Sequence, residues 1–221
     1  MIKIQNLSKS LHGGGHEVKI LNNVNLEISS GQFIAITGPS GSGKSTLLGL
    51  MAGLDTPTKG NIVLDGNELT RMNENSLARL RGKKIGIIFQ SFYLIPTLTA
   101  LENVSIPHEL NGGNQSEEEG KKLLASLNLT HRVNHYPGQL SGGEQQRLAV
   151  ARAFINSPKL ILADEPTGNL DSQNSRNIIN ILEELHSKHK VTLVLVTHDR
   201  DISSRAQRII QLEDGRIISD T

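Results

Sequence analysis

Nine consecutive residues near the start of the chain have the types and the spacing needed to bind phosphate. They match the pattern G-x-x-x-x-G-K-[ST] and are here called the phosphate loop: Gly38, Pro39, Ser40, Gly41, Ser42, Gly43, Lys44, Ser45 and Thr46. Glycines permit positive φ and close backbone approach, so successive N–H groups can face a phosphate at the positive end of a helix. Lys44 would place its charge on the β- and γ-phosphates of a nucleotide, and the Ser45 hydroxyl would bind Mg²⁺.

The sequence on either side of the phosphate loop supports this interpretation. An apolar, β-type run precedes the loop at residues 32–37, and a helical pattern begins at Thr46. The motif requires this order of strand, loop and helix. A simple Gly/Ser-rich turn before a helix is therefore a poor alternative.

Two further apolar runs end in side chains that could act on a bound nucleotide. Residues 158–165 are typical of a buried parallel strand that ends in Asp164 and Glu165. Residues 191–196 are typical of a second such strand, followed by His198. Asp164 could hold Mg²⁺ through water, and Glu165 could orient or deprotonate an attacking water. These groups lie at the carboxyl ends of their strands, the edge at which open α/β sheets bind ligands.

The composition of the chain excludes several classes of function. Its 221 residues include 23 Lys and Arg against 22 Asp and Glu, a formal net charge of +1. This balance produces no long-range field that would gather nucleic acid or anionic lipid, so we expect no nucleic-acid partner. The chain has no cysteine, which removes disulfides and thiol chemistry. No apolar run approaches the ~20 residues that span a bilayer and no signal-peptide pattern opens the chain, so we expect any membrane role to come from a partner.

Strand and helix signals along the chain predict an α/β fold with one domain over residues 1–221. Residues 1–90 and 158–221 would form a catalytic core with an N-terminal β subdomain, whose hairpin tip lies at residues 13–15. Residues 91–157 would form a helical insert. Within it, residues 116–119 match a capping box that opens a helix continuing to Leu127.

Further residues complete a set of motifs that resembles, from end to end, the nucleotide-binding subunits of ABC transporters. These residues are Gln90, the run of Leu140, Ser141, Gly142, Gly143 and Glu144, and the run of Asn169, Leu170 and Asp171. The resemblance implies a P-loop, RecA-like core with a mainly parallel sheet, an N-terminal antiparallel β subdomain and an inserted helical subdomain. That subdomain carries residues 140–144, here called the signature loop.

The same resemblance implies that the chain binds ATP and Mg²⁺ and hydrolyses ATP. Gln90 would touch Mg²⁺ and the attacking water, His198 would reach the γ-phosphate, and Asp171 would be the aspartate of the family's D-loop. The signature loop would bind the γ-phosphate of ATP held by a second copy of the chain, in a homodimer that sandwiches two ATP molecules. The residue types agree, since Ser141, Gly142 and Gly143 form a second glycine-rich helix start with N–H groups to offer.

Residues 90–104 and 164–171 narrow the resemblance to the subgroup that contains the lipoprotein-release and macrolide-efflux ATPases. This subgroup implies a cytoplasmic chain on the inner face of the cell membrane, bound to a separate membrane permease that docks between Gln90 and Pro96. The machine would extract or export a lipid-like or hydrophobic molecule, or transmit force across the membrane. Phe92 and Tyr93 are candidates for the docking surface, and core aromatics are the alternative.

One position departs from the pattern of the family. Relatives usually carry a tyrosine that stacks on adenine where this chain has Leu11. Stacking of a base on an aromatic ring is worth about 1–3 kcal/mol, whereas Leu11 offers only apolar contact. His12 and His16 are the alternative contacts for the base. We therefore expect modest affinity for ATP and weak base selectivity.

Two other classes of function stay open at this point. Soluble ABC-type ATPases that act on nucleic acid or ribosomes usually carry a long coiled-coil insert, a zinc module or a duplicated cassette, and the sequence shows none. A P-loop kinase or nucleotide switch would lack the signature loop and the adjacent Asp164 and Glu165. A metal site at His131 and His135 is disfavoured because no carboxylate or cysteine joins them and a proline follows closely.

Overall fold

The structure, a computed structural model, describes residues 1–13 and 16–221, and only the backbone of His12 and His16. Gly14 and Gly15, part of the hairpin tip expected from the sequence, lie outside the described residues. The chain divides into two compact units. The first comprises residues 1–78 and 192–221, and the second comprises residues 79–191.

Within the described residues the chain forms ten strands and seven α-helices. The strands are β1 (Ile2–Gly13), β2 (His16–Ile28), β3 (Phe33–Thr37), β4 (Lys59–Leu64), β5 (Asn67–Glu68), β6 (Ile85–Phe89), β7 (Leu160–Asp164), β8 (Thr192–Val196), β9 (Arg208–Glu213) and β10 (Arg216–Asp220). The helices are α1 (Lys44–Met51), α2 (Glu74–Lys84), α3 (Ala100–Leu110), α4 (Ser116–Ser126), α5 (Gly142–Phe154), α6 (Ser172–His189) and α7 (Arg200–Ser203). None of these helices is both long enough and apolar enough to cross a membrane.

The first unit contains strands of two sheets. One sheet is antiparallel with strand order β2-β1-β4-β5, and its β1 and β2 pair so that Gly13 lies opposite His16. In the other, β3 runs parallel to β8 on one side and to β9 on the other, and β10 pairs antiparallel with β9. Ile36 lies opposite Val196, so β3 and β8 end side by side.

The parallel strands of the first unit are buried on both faces. Ile34, Ala35 and Ile36 of β3 are fully buried, and every residue of β8 is buried. Strands of this kind lack the alternation of apolar and polar residues that marks a half-exposed strand. Their continuous apolar sequences at residues 32–37 and 191–196 therefore predicted them correctly.

The second unit combines a parallel strand pair with helices. β6 and β7 pair in register, with Ile85 opposite Leu160 and Phe89 opposite Asp164. Helix α5 packs against β6 and against α3, α4 and α6, and it buries a continuous stretch from Leu148 to Ala151. Residues 91–157 contain α3, α4 and α5. The α/β fold expected from the sequence is confirmed.

The start of α4 differs from the expected capping box. Ser116 is the first residue of the helix, and Gln115 precedes it with a left-handed φ of 60° and no side-chain cap. The Ser116 hydroxyl donates to the Gly113 carbonyl oxygen at 3.3 Å, and its own carbonyl oxygen accepts from Ser105 of α3 at 3.1 Å. The capping box was a wrong prediction because contact with α3 buries Ser116. The helix itself was predicted correctly and ends at Ser126.

Candidate functional site

The phosphate loop joins the end of β3 to the first residue of α1. Gly38, Gly41 and Gly43 have φ angles of 147°, 79° and 99°, a region that favours glycine. A Cβ atom at Gly38 would overlap the carbonyl oxygen of Leu212 in β9, whereas one at Gly41 would meet no described atom within 4 Å. The phosphate loop therefore packs closely against β9 at Gly38 and leaves space for a ligand at Gly41.

Polar atoms inside the phosphate loop are arranged for an anionic ligand. Lys44 is 7% exposed, and its Nζ donates to the carbonyl oxygens of Gly38 and Pro39 at 2.9 and 2.7 Å. The Ser42 hydroxyl is buried and has no hydrogen-bond partner in the described part of the chain. Gly43, the N-cap of α1, supplies no side-chain cap. A phosphate group would satisfy these donors at the positive end of α1.

His198 follows the strand next to the phosphate loop's own strand. It lies two residues beyond the end of β8, which pairs with β3. On one side Thr197 is buried and donates its N–H to the Ile36 carbonyl oxygen at 3.2 Å. On the other, Asp199 caps α7 by accepting from the Ile202 N–H at 3.3 Å. The first unit thus brings His198 and the phosphate loop to the same end of two neighbouring strands.

In the second unit, the predicted carboxylates also follow a strand end. Asp164 closes β7, and Glu165 comes next with a left-handed φ of 44°. This conformation is uncommon for a residue with a side chain, and such residues cluster at functional sites. Gln90 follows β6 at the corresponding position, because Phe89 lies opposite Asp164. Gln90 and Glu165 therefore leave neighbouring strands at the same edge.

Gln90 is bound by a residue to which the sequence assigned no role of its own. The Asn169 side-chain nitrogen donates to the Gln90 carbonyl oxygen at 3.0 Å, and Gln90 Nε2 lies 3.5 Å from Asn169 Oδ1. A Cβ atom on Gly168 would come within 2.7 Å of Gln90 Nε2, so glycine permits this approach. The Gln90 side-chain nitrogen faces Asn169, which leaves the side-chain oxygen for another ligand.

The signature loop is held by a capping box at the start of α5. Ser141 Oγ accepts from the Glu144 N–H at 3.3 Å, and Glu144 Oε2 accepts from the Ser141 N–H at 2.8 Å. Arg132 donates from Nε to Glu144 Oε1 at 2.8 Å. The Ser141 N–H, and then the Arg132 guanidinium, lower the pKa of Glu144 to about 2. The sequence assigned Glu144 to the nucleotide, whereas this carboxylate contacts the loop itself and Arg132.

Asp171 is bonded to a residue, Asn174, that lies against the signature loop. It caps α6 by accepting from the Asn174 N–H at 2.8 Å and from the Asn174 side-chain nitrogen at 2.6 Å. These bonds lower the pKa of Asp171. A Cβ atom on Gly143 would overlap the side chain of the same Asn174. The Asn174 side chain thus lies between Asp171 and Gly143.

The remaining candidates have simpler surroundings. Leu11 is 54% exposed and lies opposite Val18, which is 55% exposed, so the two form an aliphatic pair. The side chains of His12 and His16 lie outside the description. His135 contacts Arg132 Nη1 through Nε2 at 3.2 Å. Within residues 1–13 and 16–221 no group of three or more His, Cys, Asp or Glu residues could hold a metal.

Comparison with known protein families and curated proteins identifies relatives along the whole chain. The family model for ABC transporters matches residues 21–168. The uncharacterised ABC transporter ATP-binding protein YbbA of Escherichia coli K12 is 47% identical over 219 residues, 98% of this chain and 96% of YbbA. The lipoprotein-releasing system ATP-binding protein LolD of Geobacter metallireducens is 44% identical, over 100% of this chain and 99% of LolD. The macrolide export ATP-binding/permease protein MacB of Brucella abortus is also 44% identical, but the chain spans only 34% of its length.

Solved structures agree with these relatives. The ATP-binding cassette MJ0796, determined as a dimer in a post-hydrolysis state with ADP and Pi, superimposes with a TM-score of 0.94 at 41% identity, covering 100% of this chain and 98% of that one. A second dimeric structure of MJ0796, described as a bacterial ABC transporter cassette, gives a TM-score of 0.93 at 43% identity and the same coverage. The chain therefore belongs to the ABC transporter family, as an ATP-binding and ATP-hydrolysing cassette.

Proposed function

We propose that two copies of this chain close around two ATP molecules and that hydrolysis drives a separate membrane permease. The phosphate loop of one copy would face the signature loop of the other across each nucleotide. One observation carries the proposal: a single chain has two glycine-rich helix starts, α1 and α5, in separate units. Its relative MJ0796 is a dimer with ADP and Pi.

Each residue proposed to surround the nucleotide has a separate role. Lys44 and the Ser42 hydroxyl would bind phosphate, and His198, at the end of β8, would reach the γ-phosphate. Glu165 is the general base toward the attacking water, held at the strand end by its left-handed backbone. Asp171 closes the site from the side of the second copy.

The protein supplies oxygen ligands that suit Mg²⁺. Ser45 offers a hydroxyl in the first turn of α1, Asp164 a carboxylate at the end of β7, and Gln90 the side-chain oxygen that Asn169 leaves available. Mg²⁺ prefers such hard oxygen donors and usually keeps several waters. When bound, the ion neutralises charge on the β- and γ-phosphate oxygens.

The surface beyond Gln90 is the proposed permease site. Tyr93 is 68% exposed and Ile95 is 39% exposed, although both are large and apolar. Exposed apolar groups that cluster mark binding surfaces. Docking here would hold the cassette at the inner face of the membrane, in the cytoplasm. By analogy with LolD and MacB, the transported molecule is lipid-like or hydrophobic, or the machine transmits force. With a net charge of +1, we propose no nucleic-acid partner.

The catalytic part of the proposal is tested with Glu165→Gln. This variant should bind ATP but lose about 10²–10⁴-fold in turnover, the usual contribution of a positioned general base. With Mg-ATP it should also shift from monomer to dimer in light scattering, and Ser141→Arg in the same background should prevent the shift. Glu184→Gln, an exposed change of the same charge on α6, is the control. Parental turnover in Glu165→Gln, or one monomeric mass with and without ATP, would contradict the proposal.

The docking part is tested separately. Tyr93→Ala and Leu94→Asp should abolish co-purification with the permease from detergent-solubilised membranes while basal hydrolysis by the isolated chain continues. Leu110→Asp, at a position 82% exposed at the end of α3, is the control for an exposed leucine elsewhere in the unit. Complex formation by both docking variants would place the permease on another surface.

A further inference from the structure

Arg152, near the end of α5, binds the backbone of the segment that follows Gln90. Arg152 Nη2 donates to the Phe92 carbonyl oxygen at 2.8 Å, and Nη1 donates to the Tyr93 carbonyl oxygen at 2.6 Å. Tyr93 has a left-handed φ of 47°, which turns these successive carbonyls toward one guanidinium. The planar fork of arginine suits this arrangement, because two bonds from one rigid group fix both distance and direction.

A second buried side chain anchors the other end of the same segment. Asn103 of α3 is fully buried and accepts from the Ile95 N–H at 2.8 Å. It also donates to the carbonyl oxygens of Ile95 and Leu98 at 3.1 and 3.0 Å. The backbone from residue 92 to residue 95 is therefore held at one end by α5 and at the other by α3. Any displacement of this segment must pull on Arg152 or break its bonds.

Arg152 belongs to the helix whose first turn is the signature loop. Gly142 opens α5, and Arg152 lies ten positions later, roughly 15 Å along the axis at 1.5 Å per residue. The helix between them is buried over Leu148, Ala149, Val150 and Ala151. A buried, continuous helix moves as a unit, so a shift at Arg152 reaches the N–H groups at Gly142 and Gly143.

We propose that Arg152 is a positioning residue that couples residues 92–95 to the signature loop through α5. A partner that displaces residues 92–95 thereby displaces the signature loop, and a nucleotide bound at the signature loop stabilises residues 92–95 in return. The identity of the partner rests on the proposed function. The link itself is a property of the isolated chain.

The link is tested by hydrogen exchange on the isolated full chain without nucleotide. Arg152→Gln should raise exchange by about tenfold or more both at the Ile95 N–H, which is bonded to Asn103, and at the Ser141 and Glu144 N–H groups of the capping box. Arg152→Lys keeps the charge but not the fork, so it should give a smaller increase at both places. The control is Arg176→Gln, which should change neither. It removes an exposed arginine on α6 whose bond within the described part of the chain is local, to the Ser172 carbonyl oxygen.

The pattern of exchange decides the outcome. An increase confined to the Ile95 N–H would overturn the proposal, because Arg152 would then hold the segment without reaching the signature loop. No increase at either place would overturn it as well. If Arg152→Gln does not fold, as judged by its melting transition, Arg152→Lys is read by the same criteria.

Nucleotide supplies the reciprocal measurement. In the Glu165→Gln background, Mg-ATP should slow exchange at the Ile95 N–H, and Arg152→Lys should remove at least half of that protection while light scattering still shows the dimer. Retention of full protection would contradict the coupling. Failure of Mg-ATP to produce a dimer would instead contradict the proposed function, and the nucleotide-free exchange would still decide the link.

Discussion

The starts of α1 and α5 are both glycine-rich, but they satisfy their polar groups in opposite ways. At α1, the N-cap Gly43 offers no side-chain cap, and the neighbouring Ser42 hydroxyl is buried without a partner among the described residues. At α5, Ser141 and Glu144 cap each other, and Arg132 holds the Glu144 carboxylate.

This difference shows that two loops proposed to bind the same nucleotide can depend on it to different degrees for their hydrogen bonds. A helix start leaves four N–H groups without partners inside the helix. The phosphate loop relies on a ligand to satisfy such N–H groups, so ligand binding should stabilise it more. The signature loop satisfies part of its N–H groups through its own capping box, so its conformation is already fixed before a nucleotide binds. We expect loss of a polar side chain to affect ligand binding first in the phosphate loop and stability first in the signature loop.

The largest contrast is expected from alanine at Gly38 and at Gly142. Gly38 has a φ of 147°, and a Cβ atom there would overlap the Leu212 carbonyl oxygen, so Gly38→Ala should cost about 3–5 kcal/mol of stability and abolish ATP binding. A Cβ at Gly142 would meet Leu170 Cδ2 at 3.6 Å, an ordinary contact. Gly142→Ala should therefore stay within about 1 kcal/mol of the parent. Urea denaturation of both variants measures the contrast, and equal costs would remove it.

The next effect concerns the charge of Glu144 and its dependence on pH. Its pKa is lowered to about 2 in the folded chain from an ordinary value of 4.5, so its carboxylate stabilises the fold above about pH 4.5. That contribution is lost as pH falls from 4.5 toward 2. Glu144→Gln should cost about 1–2 kcal/mol at pH 7, allowing for solvent screening of a partly exposed pair.

The measurement for Glu144 is urea denaturation of parent and variant at pH 7, 4.5 and 3. The difference between them should shrink as pH falls. A difference that stays constant with pH would mean that the carboxylate charge does not stabilise the signature loop. Glu118→Gln, an exposed change of the same type on α4, is the control and should cost no more than about 0.5 kcal/mol.

A smaller effect is expected on ATP affinity from a substitution outside both loops. Leu11→Tyr gives the adenine an aromatic ring and should tighten ATP binding by up to about tenfold, the lower part of the range for stacking. Turnover at saturating ATP should change little. Equilibrium binding of a fluorescent ATP analogue compares the variant with the parent. Unchanged affinity would show that another residue already covers the base.

The smallest effect compares two serines. Ser141→Ala removes the N-cap of α5 and should cost about 1 kcal/mol of stability. Ser42→Ala removes a buried hydroxyl without a partner, so in the absence of nucleotide it should be neutral or slightly stabilising, while ATP binding weakens. Melting temperatures with and without Mg-ATP separate the two effects. Loss of stability of Ser42→Ala without nucleotide would contradict the distinction between the loops.

The capping boxes show how far local sequence reaches. The pattern of Ser or Thr followed three residues later by Glu occurs at Thr99, Ser116 and Ser141, and it forms a capping box at Thr99 and Ser141. At Ser116 the same pattern fails, because contact with α3 buries the serine inside the helix. Local residue types determine which caps a helix start can form, and tertiary packing determines whether the cap forms.

The sequence by itself determined the α/β fold, the strand–loop–helix around Lys44 and the placement of Asp164, Glu165 and His198 at strand ends. These features depend on residues close together in the chain, so apolar periodicity and glycine spacing reveal them. The roles of the individual site residues stay predictions.

Only the tertiary structure decided which distant groups meet. Arg152 reaches the carbonyls of Phe92 and Tyr93, and Asn169 reaches Gln90, across 60, 59 and 79 positions of sequence. In each contact a side chain binds a backbone carbonyl, an acceptor that every residue carries, so no residue type marks the partner in advance. The physical reason is that the packing of α5 and the pairing of β6 with β7 bring these donors and acceptors together. Neither can be inferred from a local stretch of sequence.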